Sequence, residues 1–304
     1  MNQLENVRIG PAGWQYDDWA GTFYPARKPQ GFDALTFVAS YFRFVEINST
    51  FYRIPARSTS RSWVERTSGK PDFTFTAKAF QGLTHRKSAL DDAEVLACRR
   101  AMEPLHESGR LGALLLQFPW SFHDTPATRR RIQHLQDAMS PLPLALEVRH
   151  GSWMRPGGRS FLESTGLTIC AIDQPVIGDS IRPGEHVAGS AGTYIRFHGR
   201  NYKHWFAGTS ARNDRYDYLY SRDELEPWMR LIQRASQRGG PVHVVMNNHF
   251  RGQAPANGFE LMAMLGDTPV PAPDVLRQQY PRLKEVTVRG VDESTGSGWL
   301  FDSM

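Results

Sequence analysis

Charged and amide side chains stand at the carboxyl ends of short apolar runs in this sequence of 304 residues. In strands covered on both faces such groups are costly unless they are paired or used. The residues placed in this way are Glu46, Asn48, Lys78, Gln117, Glu147, Arg149, Asp173, Arg196, His198 and Asn248. Because the set combines acids, bases and cations, it predicts a pocket for general acid/base chemistry on an anionic substrate.

Four of these residues are candidates for catalysis. Glu46 and Glu147 are expected to transfer protons, because burial raises the pKa of one carboxyl while a nearby cation lowers that of the other. His198 is a candidate proton carrier near neutral pH, and Lys78 is expected to stabilise charge and to bind a carboxylate or phosphate of the substrate. The residues expected to bind the substrate are Asn48, Gln117, Arg149, Asp173, Arg196, Asn248, Trp14 and Arg200.

The same residues allow three other interpretations. Desolvation would make the amine of Lys78 nucleophilic enough for a Schiff base, although nearby carboxylates oppose that shift and favour anion binding. Glu46, Glu147, Asp173 and His198 would be suitable ligands for Mg, Mn or Zn. No HxH or HExxH spacing supports a metal, so the cofactor stays unassigned. The third interpretation is an ion-pair network with a purely structural role.

Eight apolar, β-branched or aromatic runs alternate with helix-like stretches, which indicates parallel strands joined by crossover helices. The runs are VRIG (7–10), FRFVEIN (42–48), FTFTAKA (73–79), LGALLLQF (111–118), LPLALEVR (142–149), LTICAID (167–173), TYIRFHG (193–199) and VHVVMNN (242–248). They favour an α/β fold, a TIM-type (β/α)8 barrel in one domain over residues 1–270. The carboxyl ends of barrel strands converge on one mouth, where the polar residues would meet.

The segment 271–304 begins within the proline-rich stretch TPVPAPD (268–274), after which the sequence becomes polar. It is predicted to be a C-terminal appendage that is partly disordered. Helix starts are predicted at Ser221, which has the capping-box spacing to Glu224, and at Thr125 before a proline.

Side-chain alternation with a period of two decides which residues face the pocket. Glu46 and Asn48, for example, share one face of their strand. Only one of Asn247 and Asn248 can face inward at the end of the eighth run, and Asn248 is the expected one.

Aromatic residues are frequent after the first and seventh runs, in GWQYDDWAGTFYP and NYKHWFAGTSARNDRYDYLYS. Trp14 and Arg200 stand at the start of these loops, and such side chains stack on a base or sugar and contact a phosphate. The loops therefore support a second hypothesis, a module that binds or processes nucleic acid. The second loop is long enough to act as a lid.

Composition excludes several classes of protein. The chain has 36 Lys and Arg against 31 Asp and Glu, a net charge of +5 that permits an anionic partner without requiring one. Its 40% hydrophobic content excludes a disordered protein. No apolar run approaches the roughly 18 residues of a membrane helix, and the first residues do not resemble a signal peptide. A cytoplasmic protein without a membrane partner is expected.

Long blocks of the sequence resemble a known family. The blocks are IGPAGWQYDDWAGTFYP, FVEINSTFYRIP, FTFTAKAFQGLTH, LLLQFPWSF, LALEVRHGSW, IRFHGR and NNHFRGQAPANGFEL. Over about residues 7–265 they are similar, in order, to domain of unknown function 72, also called the YecE-like family. The resemblance implies a TIM-type barrel and no established reaction. The first block reads Gly-Pro-Ala-Gly-Trp where the family more often has Thr-Ser, which removes two hydroxyl groups.

The sequence thus predicts an enzyme of unassigned reaction class at the mouth of a barrel. It is expected to act on a small polar substrate that carries a phosphate or carboxylate. The alternatives are the nucleic-acid module and a noncatalytic ligand-binding barrel.

Overall fold

The structure is a computed structural model that describes residues 5–184, 192–202, 216–266 and 270–290. In these residues eight parallel strands alternate with helices and curve into a nearly closed barrel, which confirms the predicted single-domain TIM-type (β/α)8 fold. Within the described ranges no helix combines the length and apolar composition needed to cross a bilayer. Most of the loop predicted to act as a lid, residues 203–215, lies outside the described residues.

The strands coincide with the eight apolar runs to within two residues at each end. They are β1 (Val7–Pro11), β2 (Phe44–Ile47), β3 (Thr74–Lys78), β4 (Leu111–Gln117), β5 (Leu144–Glu147), β6 (Thr168–Asp173), β7 (Thr193–Phe197) and β8 (Val242–Met246). Their order in the sheet is β1-β8-β7-β6-β5-β4-β3-β2. A parallel bridge between Ala12 and Glu46 joins the two outer strands and brings the ends of the sheet together.

Ten α-helices of the described residues alternate with or follow the strands. They are α1 (Ala34–Tyr41), α2 (Ser49–Tyr52), α3 (Arg57–Arg66), α4 (Gln81–Thr84), α5 (Asp92–Glu107), α6 (Pro126–Met139), α7 (Pro156–Ser164), α8 (Arg222–Gln237), α9 (Gln253–Met264) and α10 (Asp274–Gln279). Both predicted starts are confirmed. Ser221 and Glu224 form a capping box at α8, and Thr125 caps α6 together with Thr128.

Alternating side chains divide each strand between the barrel interior and the helix layer. On β7, Ile195 and Phe197 pack outward against Trp228 of α8, whereas Tyr194 and Arg196 point inward. This division leaves the polar residues of several strands facing one another inside the barrel.

Part of the predicted appendage folds onto the barrel. The strands β9 (Val270–Ala272) and β10 (Thr287–Arg289) pair in parallel, and both contact α9. The helix α10 lies between them in the sequence. Arg282 of this segment donates to Glu260 of α9 at 2.7 Å and to the carbonyl of Tyr220 at 2.7 Å. Residues 291–304 lie outside the described residues.

At the opposite end from the mouth, a cavity of about 110 Å³ lies beneath the first residues of β4 to β8. The imidazole of His243 lines it, and Gly112 sits at a register shift in β4 that makes room for this ring. A Cβ atom on residue 112 would lie 2.4 Å from Nε2 of His243.

We expect Gly112→Ala to lower the free energy of unfolding by about 1–3 kcal/mol, because the methyl group forces the buried ring to move. Urea unfolding measures the change. Gly157→Ala is the matched control. Residue 157 is an exposed position of α7, and its Cβ would meet only a guanidinium nitrogen of Arg129 at 3.5 Å. About 0.5–1 kcal/mol of stabilisation is therefore expected from the higher helix propensity of alanine. Equal effects of both substitutions would contradict this account of residue 112.

Candidate functional site

A buried guanidinium joins two carboxylates at the centre of the barrel. Arg196 of β7 donates through Nη2 to Oε1 of Glu46 at 2.6 Å and through Nη1 to Oε2 of Glu147 at 2.7 Å. All three side chains are at most 1% exposed. The structure therefore brings together residues of β2, β5 and β7 that lie far apart in the sequence.

Two hydroxyl groups support this ion pair from below. Tyr194 donates to Oε2 of Glu46 at 2.8 Å, and its oxygen lies 2.6 Å from the hydroxyl of Thr76. Neither residue was among the sequence-predicted site residues. Period-two alternation could have found both, because Tyr194 precedes Arg196, and Thr76 precedes Lys78, by two positions.

Glu147 is a fixed anion in this arrangement. Besides Arg196, it accepts from Nε of Arg149 at 2.7 Å and pairs with Nη2 of Arg149 at 2.6 Å. Burial by itself would raise the pKa of Glu147, but Arg149 and Arg196 outweigh it and hold the pKa well below the usual range. A carboxylate held in this way does not release and regain a proton near neutral pH, so the geometry does not suit Glu147 for the predicted proton transfer.

His198 is held as a neutral ring beside the arginines. Its Nε2 lies 3.3 Å from Nη1 of Arg196, 3.4 Å from Nη2 of Arg149 and 3.5 Å from Oε1 of Glu147. Burial lowers the pKa of His198 to about 3. The imidazole therefore positions the two arginines and is poorly suited to the predicted role of proton carrier.

On the eighth strand the expectation for Asn248 was wrong. The amide of Asn247 lies 3.0 Å from Nδ1 of His198, whereas Asn248 donates outward to the carbonyl of Tyr218 and to Asn257 of α9. The register explains the difference. Val245 lies beside inward-facing Arg196, so the residue two positions later, Asn247, also faces inward.

Asp173 and Arg200 form a second cluster on the outer side of the sheet, which corrects the expectation that they line the pocket. Asp173 is fully buried and accepts from Nε and Nη2 of Arg200 at 2.8 and 2.6 Å, from Tyr220 at 2.9 Å and from Nε1 of Trp228 at 2.8 Å. It lies beside outward-facing Phe197 in the register of β6 and β7. Its carboxylate thus ties α8 and the loop before it to the barrel.

Three further predicted residues differ in where they lie. Gln117 reaches the central cluster, with Oε1 at 3.5 Å from Nη1 of Arg196. Asn48 borders it and donates to the carbonyl of Ala12 at 3.2 Å, while its own Oδ1 has no partner among the described residues. Trp14 is only 6% exposed and packs edge-on against Trp63 with ring centres 6.0 Å apart, and its Nε1 has no hydrogen-bond partner among the described residues.

Lys78 is the group at the end of β3 that faces this cluster. Its Nζ lies 4.1 Å from the centre of the Phe51 ring, and it has no hydrogen bond or ion pair with any residue in the described part of the chain. Burial, and then the charge of Arg196, lower the pKa of Lys78 to about 7. The sequence could not reveal Phe51 as a partner, because that contact depends on where α2 places its side chain.

The formal charges of the cluster balance without Lys78. Glu46 and Glu147 are compensated by Arg196 and Arg149, and His198 is neutral. The protonation of Lys78 therefore decides whether the cluster is neutral or carries one positive charge. Only the protonated form attracts an anion.

The carboxylates do not form a metal centre with the other predicted ligands. Asp173 lies in the outer cluster, and the guanidinium groups occupy the oxygens of Glu46 and Glu147. Throughout the described ranges, no group of three or more His, Cys, Asp or Glu side chains is arranged to hold a metal ion.

Comparisons with known proteins agree with the resemblance seen in the sequence. Residues 8–280 match the family described as "Protein of unknown function DUF72". The UPF0759 protein YunF of Bacillus subtilis (strain 168) is 31% identical over 272 residues, which cover 85% of this chain and 94% of that protein.

Two solved structures have the same fold. The crystal structure of a DUF72 family protein from Thermotoga maritima MSB8 superposes with a TM-score of 0.74 at 32% identity, covering 85% of this chain and 98% of the other. That of a DUF72 family protein from Enterococcus faecalis V583 gives 0.73 at 25% identity and covers 85% and 95%. The barrel is thus shared with relatives of clearly similar sequence.

Proposed function

The chain belongs to the DUF72 family, and from this premise and the geometry of its barrel mouth we propose that it is an enzyme that transfers a proton on a small anionic substrate, with Lys78 as the proton carrier. The substrate is polar and carries a carboxylate or a phosphate. The proposed site is the C-terminal mouth of the barrel, where active sites of this fold are found.

The position of Lys78 is the observation that carries the proposal. Its amine faces an aromatic ring and has no counter-ion among the described residues, and its pKa of about 7 suits both release and uptake of a proton at neutral pH. The two sequence candidates Glu147 and His198 lack this property, because one is a fixed anion and the other a neutral, hydrogen-bonded ring.

The cations beside Lys78 support the choice of an anionic substrate. Arg196 is buried and its two terminal nitrogens donate to Glu46 and Glu147, whereas the side chain of Arg149 is 17% exposed and retains donors beyond those that Glu147 accepts. Protonated Lys78 and the outer edge of Arg149 would hold a carboxylate or phosphate, and His198 would keep Arg149 in place.

Proton exchange measured by NMR tests the proposal. The protein is incubated in D2O with a panel of 2-oxo acids and ketose phosphates, and deuterium uptake next to the carbonyl is followed for the wild type and for Lys78→Met. We expect at least one panel member to exchange more than 100-fold faster with the wild type, because a positioned acid or base contributes roughly 10²–10⁴-fold.

Lys87→Gln is the control, because this lysine of the α4–α5 loop is exposed and takes no part in the buried cluster. Its exchange rates should equal those of the wild type. Identical rates for the wild type and Lys78→Met with every panel member would contradict the proposed proton transfer.

A second function, nucleic-acid binding, is favoured by a different observation. Tyr52, Trp120 and Tyr202 are 52%, 40% and 56% exposed, and they follow β2, β4 and β7 at the rim of the mouth. Exposed aromatic rings beside cations are the usual platform for stacking bases.

Salt dependence separates this function from the first. Binding of a single-stranded oligonucleotide that weakens steeply with added salt, and that Trp120→Ala weakens by about 1–3 kcal/mol, would support it. Absence of binding near physiological ionic strength would rule it out. Anion binding without proton exchange would instead indicate a noncatalytic ligand-binding barrel.

A further inference from the structure

We infer that Lys78 captures a carbonyl group of the substrate as a covalent Schiff base, so that the mouth of the barrel accepts small aldehydes or ketones that carry a carboxylate or phosphate. This inference rests on the proposed function, because it uses the same mouth and the same lysine. It adds the substrate class and a covalent intermediate.

The surroundings of the amine are those of a nucleophile. Lysine acts as a nucleophile in its neutral form, and burial together with neighbouring positive charge favours that form. Nζ lies against the Phe51 ring at 4.1 Å, and none of the described residues accepts a hydrogen bond from it. The nearby carboxylates Glu46 and Glu147 act to raise the pKa of Lys78, but burial and Arg196 outweigh them, and both carboxylates pair with guanidinium groups rather than with the amine.

The proposed reaction conserves atoms and charge. The neutral amine of Lys78 attacks the carbonyl carbon, a C–N bond forms as the C=O π bond breaks, and the nitrogen passes one of its protons to the carbonyl oxygen to give a carbinolamine. A second proton on that oxygen allows the C–O bond to break, and water leaves. The product is an iminium ion with one positive charge, formed from one amine, one carbonyl and one proton.

The charge of the iminium explains the preference for an anionic substrate. The remaining cluster is neutral, so the iminium at Lys78 would be an isolated buried charge if the substrate were neutral. A carboxylate or phosphate on the substrate compensates it and contacts the exposed edge of Arg149. The Phe51 ring covers the apolar side of the C=N group.

Reductive trapping followed by mass spectrometry tests the inference. The full chain is incubated at pH 7 with pyruvate or dihydroxyacetone phosphate and sodium cyanoborohydride, and the modified lysine is identified by peptide mapping. We expect a single adduct at Lys78 that forms at least 100-fold faster than at Lys87, because the mouth would hold the carbonyl compound beside the Lys78 amine whereas Lys87 is exposed to solvent.

Three controls sharpen the trapping experiment. Lys78→Arg keeps the positive charge but cannot form an imine, so its adduct should disappear. Lys87→Arg should leave the trapping rate unchanged. Acetone, a carbonyl compound without a negative charge, should label Lys78 at least tenfold more slowly than pyruvate does.

The outcomes distinguish this inference from the proposed function. Proton exchange that depends on Lys78, without any adduct at Lys78, would overturn the Schiff base and leave the proton carrier in place. An adduct without exchange would support the Schiff base and contradict general acid/base transfer. Labelling at Lys78 no faster than at Lys87, together with no exchange, would overturn both.

Discussion

Arg196→Met is expected to lower the free energy of unfolding by about 3–5 kcal/mol, because it leaves two buried carboxylates without their shared cation. Arg196 is 1% exposed and bridges Glu46 and Glu147, which are 0% exposed, at 2.6 and 2.7 Å. Removing one member of a buried ion-pair group costs more stability than the whole group contributes, because the remaining charges stay buried with neither water nor a partner. Urea or guanidinium denaturation measures the change.

A surface pair provides the control for this prediction. Arg230→Met removes an exposed ion pair with Glu226 of the same length, 2.6 Å, and should change stability by no more than about 1 kcal/mol. The double variant Glu46→Gln with Arg196→Met should recover part of the loss, because it removes one anion along with the cation. Equal effects at Arg196 and Arg230 would contradict the central role of the buried pair.

The loss should also depend on pH. Burial by itself raises the pKa of Glu147, but Arg149 and Arg196 outweigh it and keep the folded-state pKa well below the usual value of 4.5. The ionised carboxylate therefore stabilises the fold above about pH 4.5. This contribution is lost as the pH falls through the folded-state pKa. Arg196→Met lacks part of this stabilising contribution of Glu147. The difference in unfolding free energy between the wild type and Arg196→Met should therefore become smaller at acid pH.

Sulfate affinity is expected to fall about 50-fold between pH 7 and pH 9, because only protonated Lys78 attracts the anion. The pKa of Lys78 is lowered to about 7 by burial and by Arg196, so half of the molecules are protonated near pH 7 and about 1% at pH 9. Sulfate does not titrate in this range. Isothermal titration calorimetry at a series of pH values measures the affinity.

Three neighbours of Lys78 titrate below this range. Burial and the charge of Lys78 lower the pKa of His85 to about 4, burial lowers that of His198 to about 3, and Arg149 and Arg196 outweigh burial and hold the pKa of Glu147 well below its usual range. A sulfate affinity that changes with pH in Lys78→Met as it does in the wild type would assign the titration to another group and contradict the prediction. Lys87→Gln should keep the wild-type profile.

Lys78→Met should fold well, which makes these functional tests interpretable. The folded-state pKa of Lys78 lies below its unfolded value of 10.5, so the unfolded chain binds more protons between the two values. The lysine therefore costs stability at neutral pH and costs less as the pH rises towards 10. Methionine fills similar space without that cost.

Some site residues could be assigned from the sequence because their strands show a clear alternation. In β2 and β7 the polar residues Glu46, Tyr194 and Arg196 occupy one face, and apolar residues such as Val45 and Ile195 occupy the other. A barrel strand needs an apolar face towards its helices, so the polar face must point inward.

The predicted orientations that were wrong belong to strands whose two faces do not differ clearly in polarity. In β6 the residues before Asp173 are apolar on both faces, so alternation cannot decide where the carboxylate points. In β8 the polar residues Asn247 and Asn248 are adjacent, with the same result. The register against β7 settles both cases, because Asp173 lies beside outward-facing Phe197 while Val245, two residues before Asn247, lies beside inward-facing Arg196.

By itself the sequence determined the eight strands and the barrel they form, because hydrophobic periodicity is a local property of the chain. Only the tertiary structure decided which polar residues are partners. Arg196 meets a carboxylate 150 positions away, and Lys78 is left facing an aromatic ring without a counter-ion among the described residues. Such pairings arise from closure of the sheet and the register between its strands, which place distant side chains within a few ångströms of one another.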